Sequence, residues 1–189
     1  KRDQIKPNVL IPFQLKNDDA VLKWKKWTES RWFAPNNLKE MGNGPGSLKG
    51  VYIPYWTFDA QTDSDYDGQM GIYRYETERY TTTENGKTVT KTRQKRHTDW
   101  YPASGEVSHF FDDVLILGSA SLPRKLALNL EPWDFKQVTA FREEYLKGFF
   151  VESYSVQLQD AHRESKEKIE TRIRELVRSD IGGNEQRIH

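Results

Sequence analysis

The chain contains no cysteine, so disulfides, thiolate metal sites and cysteine nucleophiles are excluded within its 189 residues. It also lacks a dominant charge, because 29 basic residues face 28 acidic ones and the net charge is +1. That balance provides no global field for nucleic acid or anionic lipid, so any such binding needs a local patch. No apolar run approaches the roughly 20 residues of a membrane helix, and no secretory signal is present.

Motifs of the common catalytic sites are missing as well. Four glycines lie in residues 42–50, but neither a phosphate-binding loop nor a dinucleotide fingerprint accompanies them. There is no nucleophile elbow. The histidines at 97, 109, 162 and 189 never fall within four residues of one another, so zinc-ligand spacing is absent. The sequence predicts a non-catalytic domain without a cofactor of its own.

What the chain does have is a composition typical of a globular protein. Hydrophobic residues make up 35% and aromatic residues 13%, and six tryptophans indicate a core built on large rings. A chain of this length buries roughly 70% of its unfolded surface. We predict one α+β domain over residues 1–189. Because the first residue is Lys1 rather than methionine, we expect a processed product or a fragment of a longer protein.

Hydrophobic periodicity outlines the elements of this domain. Strands are predicted at residues 9–15, 48–58, 105–117 and 148–156, and helices at residues 20–31, 123–130, 133–141 and 157–181. Asn17 or Asp18 is expected to cap the first helix. The last helix has one apolar stripe at spacings of three and four, formed by Leu158, Ala161, Ser165, Ile169, Ile173, Leu176 and Val177. Gly182 and Gly183 should end it.

Asn85-Gly86 is the strongest local signal, because this dipeptide favours a two-residue β-hairpin turn. Taken as the loop of a hairpin over residues 72–98, it places three glutamates opposite cations on one face: Glu84 and Lys87, Glu78 and Arg93, Glu76 and Lys95. The other face is rich in threonine. We predict a two-stranded arm of ~11 residues a side, with a solvated distal half and a base packed through Tyr73, Tyr75 and Tyr80.

The predicted fold class is therefore α+β: a largely antiparallel sheet with a long protruding β-hairpin, packed against a long C-terminal helix. The arm also carries the main basic cluster, formed by Lys91, Arg93, Lys95, Arg96 and His97. Such a cluster can bind a phosphate backbone. The alternative is a solvated face that glutamates neutralise across the hairpin, and the predicted pairing favours this alternative.

Acidic residues suggest a second candidate site. Asp63, Asp65 and Asp67 match the first half of a calcium-binding EF-hand loop, but the twelfth position is Arg74 instead of glutamate. Aspartate and glycine are also ordinary turn formers, so residues 63–68 are predicted to form a solvated turn. Asp112 and Asp113 are adjacent in a strand and should face opposite ways, which argues against a shared acid–base site.

Aromatic residues offer a third candidate. Trp56, Trp100 and Tyr101 could form a stacking platform for a carbohydrate or a peptide. The alternative is that tryptophans in a small domain mostly belong to its core. His109, beside two phenylalanines, is interpreted as a structural histidine.

Several segments together resemble one bacterial family. They are Phe33-Ala34-Pro35, GVYIPYWTFDA from Gly50, WYPASG from Trp100, FDDVL from Phe111, Ser121-Leu122-Pro123, Glu131-Pro132-Trp133 and DIGGNEQRI from Asp180. They resemble zinc-ribbon proteins labelled primosomal protein N′-like or superfamily II helicase-like. The resemblance covers essentially the whole chain, and implies that it is the middle domain, with zinc held by a preceding cysteine-rich ribbon.

The resemblance also implies a working context. Some members of that family occur beside flotillin-like and phage-shock-type membrane proteins, which suggests a protein-interaction or scaffold domain in the cytoplasm at the inner membrane face. The helicase label implies the alternative, a nucleic-acid-binding replication or restart factor that uses the basic hairpin at residues 91–97. No nucleotide motif accompanies that label here, and the resemblance transfers no catalytic residue.

Overall fold

The computed structural model describes residues 5–33 and 48–189. Its elements, in chain order, are β1 Val9–Leu10, α1 Asn17–Glu29, β2 Val51–Tyr52, β3 Tyr55–Glu84, β4 Lys87–Leu117, α2 Arg124–Leu128, a 3₁₀ turn Phe135–Gln137, β5 Thr139–Ala140, a 3₁₀ turn Glu143–Leu146, β6 Phe150–Val151, α3 Leu158–Ile181 and β7 Glu185–Ile188. The predicted α+β fold class is confirmed, with long paired strands and a C-terminal helix packed on them.

The described chain divides into two compact units. The first contains the described residues up to Trp56 together with Ile116–Ala161, and the second contains Thr57–Leu115 and His162–His189. Within the described ranges, no helix combines the length and the apolar character needed to cross a bilayer.

The first unit has little regular sheet and many ring contacts. β1 pairs antiparallel with β5, and β2 pairs parallel with β6, over two residues each. Phe13 stacks on Phe149 at 4.4 Å, and Tyr52 meets both rings edge-on. Gly50 lies beside these rings, and a Cβ there would approach Phe149 within 2.6 Å. Aromatic packing therefore replaces most of the longer strands that the sequence predicted at residues 9–15 and 148–156, whereas the strand predicted at residues 48–58 is divided between β2 and the start of β3.

The second unit is built on the hairpin of β3 and β4. Its turn is Asn85-Gly86, and both residues have positive φ, 52° and 76°, as a type I′ turn requires. The predicted register extends far beyond residues 72–98, because Ser108 Oγ donates to Asp63 and Thr62 Oγ1 donates to the His109 carbonyl across the same pairing. The strands are 30 and 31 residues long. The predicted hairpin is confirmed, and it is more than twice as long as expected.

Helix α3 packs on the hairpin along the predicted stripe. Within the second unit, Ser165 and Val177 on this stripe are almost completely buried. Near the start of the helix the ring of His162 lies 5.7 Å from that of Phe58, and near its end Asp180 accepts a 2.6 Å hydrogen bond from Tyr66. Between residues 58 and 68, shielded residues of β3 alternate with exposed ones. Because side chains alternate between the two faces of a strand, α3 covers one face of β3 and leaves the other open.

Two glycines with positive φ, Gly182 at 69° and Gly183 at 72°, end α3 as predicted. The chain then forms β7, which the sequence did not predict as a strand. β7 pairs antiparallel with β3, from Gly68 opposite Ile188 to Gly71 opposite Glu185. The last residues of the chain thus add a third strand to the sheet.

Several local predictions are wrong. The turn expected at residues 63–68 is part of β3, because each residue there continues the pairing with β4. Lys16, rather than Asn17 or Asp18, precedes the first turn of α1, and no side chain caps that helix. Of the tyrosines expected at the base of the arm, Tyr73 is half-buried, but Tyr75 is 59% exposed and Tyr80 39% exposed.

Candidate functional site

The distal hairpin, residues 74–97, is exposed over most of its length, and we call it the hairpin arm. In the described residues β3 pairs with β7 only over residues 68–71, so beyond Tyr73 its outer edge has no strand neighbour. The outer edge of β4 likewise has no described strand beside it. The arm therefore offers two open edges and two faces.

One face, here called the charged face, carries the even-numbered residues of β3 and the odd-numbered residues of β4. Arg93 contacts Glu78 at 2.9 Å, as the sequence predicted, and holds the pKa of that glutamate below its usual range. Lys95 adds to the same attraction. Lys91 pairs with Glu84.

Two of the predicted ion pairs are wrong in detail. Glu84 contacts Lys91 instead of Lys87, so the pair runs diagonally across the hairpin. Glu76 contacts Arg74 on its own strand, and His97 Nε2 lies 3.5 Å from it without a hydrogen bond. The predicted outcome is nevertheless met, since carboxylates lie beside the cations on this face.

The opposite face, here called the threonine face, has a different chemistry. Its exposed residues are Thr77, Thr81, Thr83, Thr88, Thr90, Thr92, Tyr75, Arg79, Gln94 and Arg96. No carboxylate lies among them. Arg96 stacks over the Tyr73 ring at 4.3 Å. This face presents hydroxyl groups and two guanidinium groups on an open surface.

The four predicted nucleic-acid contacts do not share one surface. Lys91, Arg93 and Lys95 lie on the charged face, among glutamates, whereas Arg96 lies on the threonine face. A phosphate backbone following either face would meet only part of the cluster.

Three aspartates come together near the other end of the hairpin. Carboxylate oxygens of Asp59, Asp112 and Asp113 all lie within 4.8 Å of one another. Asp113 has φ 53°, and its backbone N–H donates to Asp59 Oδ1 at 2.9 Å. The expectation that Asp112 and Asp113 face apart is wrong, because this left-handed residue interrupts the strand alternation.

The three carboxylates of this aspartate cluster repel one another. Partial loss of solvent raises the pKa of Asp113, and repulsion from Asp112 and Asp59 raises it further, although all three side chains are largely exposed. Three such carboxylates could hold a hard divalent cation through oxygen ligands. Asp59 was missed in the sequence, yet the register set by Asn85-Gly86 already places it opposite Asp112.

The predicted calcium ligands are not arranged as a loop. Asp63, Asp65 and Asp67 lie on one exposed face of β3, where successive members are about 7 Å apart along the strand. Asp63 instead accepts a 2.5 Å hydrogen bond from Ser108. An EF-hand loop needs a chain that curls around the ion, and an extended strand cannot do this.

The predicted aromatic platform is dispersed. Trp56 is half-buried in the first unit, where its indole N–H donates to the Val156 carbonyl at 3.0 Å. Trp100 packs over Gly71, and Arg187 lies 3.7 Å above its ring. Tyr101 follows Trp100 in β4 and faces the other way, half exposed. His109 meets Phe111 edge-on at 4.6 Å, in keeping with a structural role.

Comparisons with known proteins give one relative and no assigned activity. The chain is 23% identical over 178 residues to YdjG of Bacillus subtilis (strain 168), an uncharacterized protein. The match covers 94% of this chain but 48% of YdjG, so the chain spans about half the length of that relative. No family description matches the sequence, and no solved structure matches it.

Proposed function

We propose that this chain is a non-catalytic protein-interaction or scaffold domain of a membrane-associated bacterial assembly, and that the hairpin arm is its binding element. The observation that carries the proposal is the arm itself: two long strands that leave both edges and the threonine face open. Open strand edges are templates for pairing with a strand of another protein. Flotillin-like and phage-shock-type membrane proteins, suggested by the family resemblance, are the first partners to test.

The charge pattern of the arm supports a protein partner over nucleic acid. Nucleic-acid affinity comes largely from cations that neutralise phosphates and release counterions. On the charged face Arg93 and Lys91 already contact glutamates, so phosphate would have to displace a carboxylate from each. The negative carboxylates would themselves repel the backbone. The same ion pairs discourage unselective edge-to-edge aggregation, because they place charged side chains along both strands.

The test is a shortened arm. Deleting residues 77–82 and 89–94 removes six residues from each strand while keeping the turn and the register. We expect the native protein to capture a defined set of membrane proteins from bacterial membranes and the shortened protein to lose them. We also expect neither protein to shift single-stranded or duplex DNA at low salt.

A control substitution outside the arm shows whether loss of capture is specific to the arm. Thr171→Ala changes an exposed residue of α3 and should capture the same proteins as the native chain. Equal capture by the native and shortened proteins would contradict the proposal. Arm-dependent binding of DNA, without any captured membrane protein, would support the nucleic-acid alternative instead.

A further inference from the structure

The end of helix α1 presents a surface that the proposed function does not use. Helix α1 ends at Glu29, and the chain continues through Ser30 and Arg31 to two stacked rings, Trp32 and Phe33, whose centroids are 5.9 Å apart. Trp32 is 88% exposed and Phe33 92% exposed. Single exposed hydrophobic residues are normal on protein surfaces, but two adjacent large rings with almost no cover are not.

Several cations lie close to these two rings in the sequence. We call the surface the helix-end patch; it consists of Lys23, Lys26, Trp27, Arg31, Trp32 and Phe33. Trp27 is 45% exposed, and the Arg31 guanidinium lies 5.4 Å from the centre of its ring. Over residues 22–33 there are four cations and one carboxylate, Glu29, which gives a net charge of +3. The next carboxylate toward the N-terminus, Asp19, is eight residues before Trp27, about 12 Å along the helix.

The combination of indole, phenyl and lysine points to one type of partner. Tryptophan favours the interface between water and the lipid chains, where its ring is buried and its N–H stays hydrated. Lysine and arginine beside it are attracted to anionic lipid headgroups. Protein–protein interfaces, in contrast, are depleted in lysine at their centres. The chain as a whole has a net charge of +1, so the attraction would be local to this patch.

We propose that the helix-end patch binds the surface of an anionic bilayer, with Trp32 and Phe33 inserted between the lipids and Lys23, Lys26 and Arg31 at the headgroups. The contact is peripheral, because two rings and three cations give shallow, reversible binding. This inference concerns a surface different from the hairpin arm and does not depend on what the arm binds.

The test uses the purified protein and vesicles sedimented at low salt. Vesicles contain phosphatidylcholine alone, or phosphatidylcholine and phosphatidylglycerol in equal amounts. We expect the native protein to bind only the anionic vesicles and to be released as salt rises. Lys23→Glu should weaken binding by about fivefold or more. The double change Trp32→Ser with Phe33→Ser should weaken it by more than about tenfold.

Two further variants make the result specific. Trp32→Phe keeps an aromatic ring and should still bind, but it should lose part of the tryptophan quenching that brominated lipids cause in the native protein. Phe110→Ser removes a ring that is 57% exposed in β4 and should bind like the native chain.

Three outcomes would overturn the inference. They are no vesicle binding, equal binding to neutral vesicles, and unchanged binding after the double change at Trp32 and Phe33. A native dimer that becomes monomeric after the double change, without vesicle binding, would assign the patch to a second copy of the chain. None of these outcomes alters the capture experiment on the arm, since the shortened protein keeps the whole patch.

Discussion

Gly68→Ala is expected to lower the free energy of unfolding by about 2–3 kcal/mol, as overpacking of a filled site does. Gly68 is buried where β3, β7 and α3 meet. A Cβ built there would overlap the backbone carbonyl oxygen of Arg187 and approach Ile181 Cδ1 within 3.1 Å. A backbone atom cannot turn aside as a side chain can, so β7 must move away from β3. Chemical denaturation with amide hydrogen exchange measures both effects.

The exchange pattern gives this prediction its specificity. Amides of β7 should lose protection, while amides in the distal arm should be unaffected. Gly105→Ala is the control, because the nearest atoms to its new methyl group belong to the Tyr66 side chain, the hydroxyl oxygen and two ring carbons, and not to the backbone. This control should lower the free energy of unfolding by less than Gly68→Ala does, and the β7 amides should stay protected from exchange. Equal stability of native and Gly68→Ala proteins would show that β7 does not pack on β3 as described.

Val177→Asp is expected to lower the free energy of unfolding by about 3–5 kcal/mol, the usual effect of an uncompensated buried charge. Val177 is 3% exposed on the stripe of α3 that faces the hairpin. An aspartate there would lose its hydration without gaining a cation from the stripe, whose members are apolar residues and one serine. Thermal unfolding should show the loss as a lower midpoint for the variant than for the native protein.

Thr171→Asp is the matched control on the same helix. Thr171 is exposed, and threonine and aspartate have similar helix propensities, so the expected change is below about 1 kcal/mol. Similar losses for the two variants would mean that the stripe is not the buried face of α3. Together with Gly68→Ala, this pair tests the packing of the second unit from both the helix and the sheet.

Local signals in the sequence were sufficient for the hairpin and for α3. Asn85-Gly86 demands positive φ at two successive residues, and few other structures than a tight hairpin meet that demand. Once the turn is fixed, period-two alternation sets every cross-strand neighbour. The buried face of α3 could be predicted equally well, because apolar residues at spacings of three and four lie on one side of a helix.

Residues 63–68 show why the turn propensity of individual residues can predict the wrong local structure. Aspartate, serine and glycine favour turns when judged alone, and they predict a turn there. In the structure these residues lie opposite β4, and Asp63 bonds with Ser108 while Gly68 lets β7 approach. Pairing over many residues outweighs the local preference. β7 was missed for a related reason, since its four residues gain strand structure only by pairing with β3.

The aspartate cluster could not be predicted from the alternation of side chains along a strand, because it depends on one unusual backbone angle. A regular strand would turn Asp112 and Asp113 to opposite faces. The φ of 53° at Asp113 removes that alternation and brings its carboxylate toward Asp59 and Asp112. The partner Asp59, however, was available from the hairpin register, so extending that register beyond residue 72 would have identified two of the three members.

The hairpin arm is proposed to contact another protein. The most direct measurement is photo-crosslinking in living bacteria, with a benzophenone amino acid placed at Thr81 or Thr90 on the threonine face and, as a control, at Thr171 on α3. We expect a discrete protein adduct, of the same mass from both arm positions and absent from the control. Adducts to nucleic acid, or no adduct from either arm position, would contradict it.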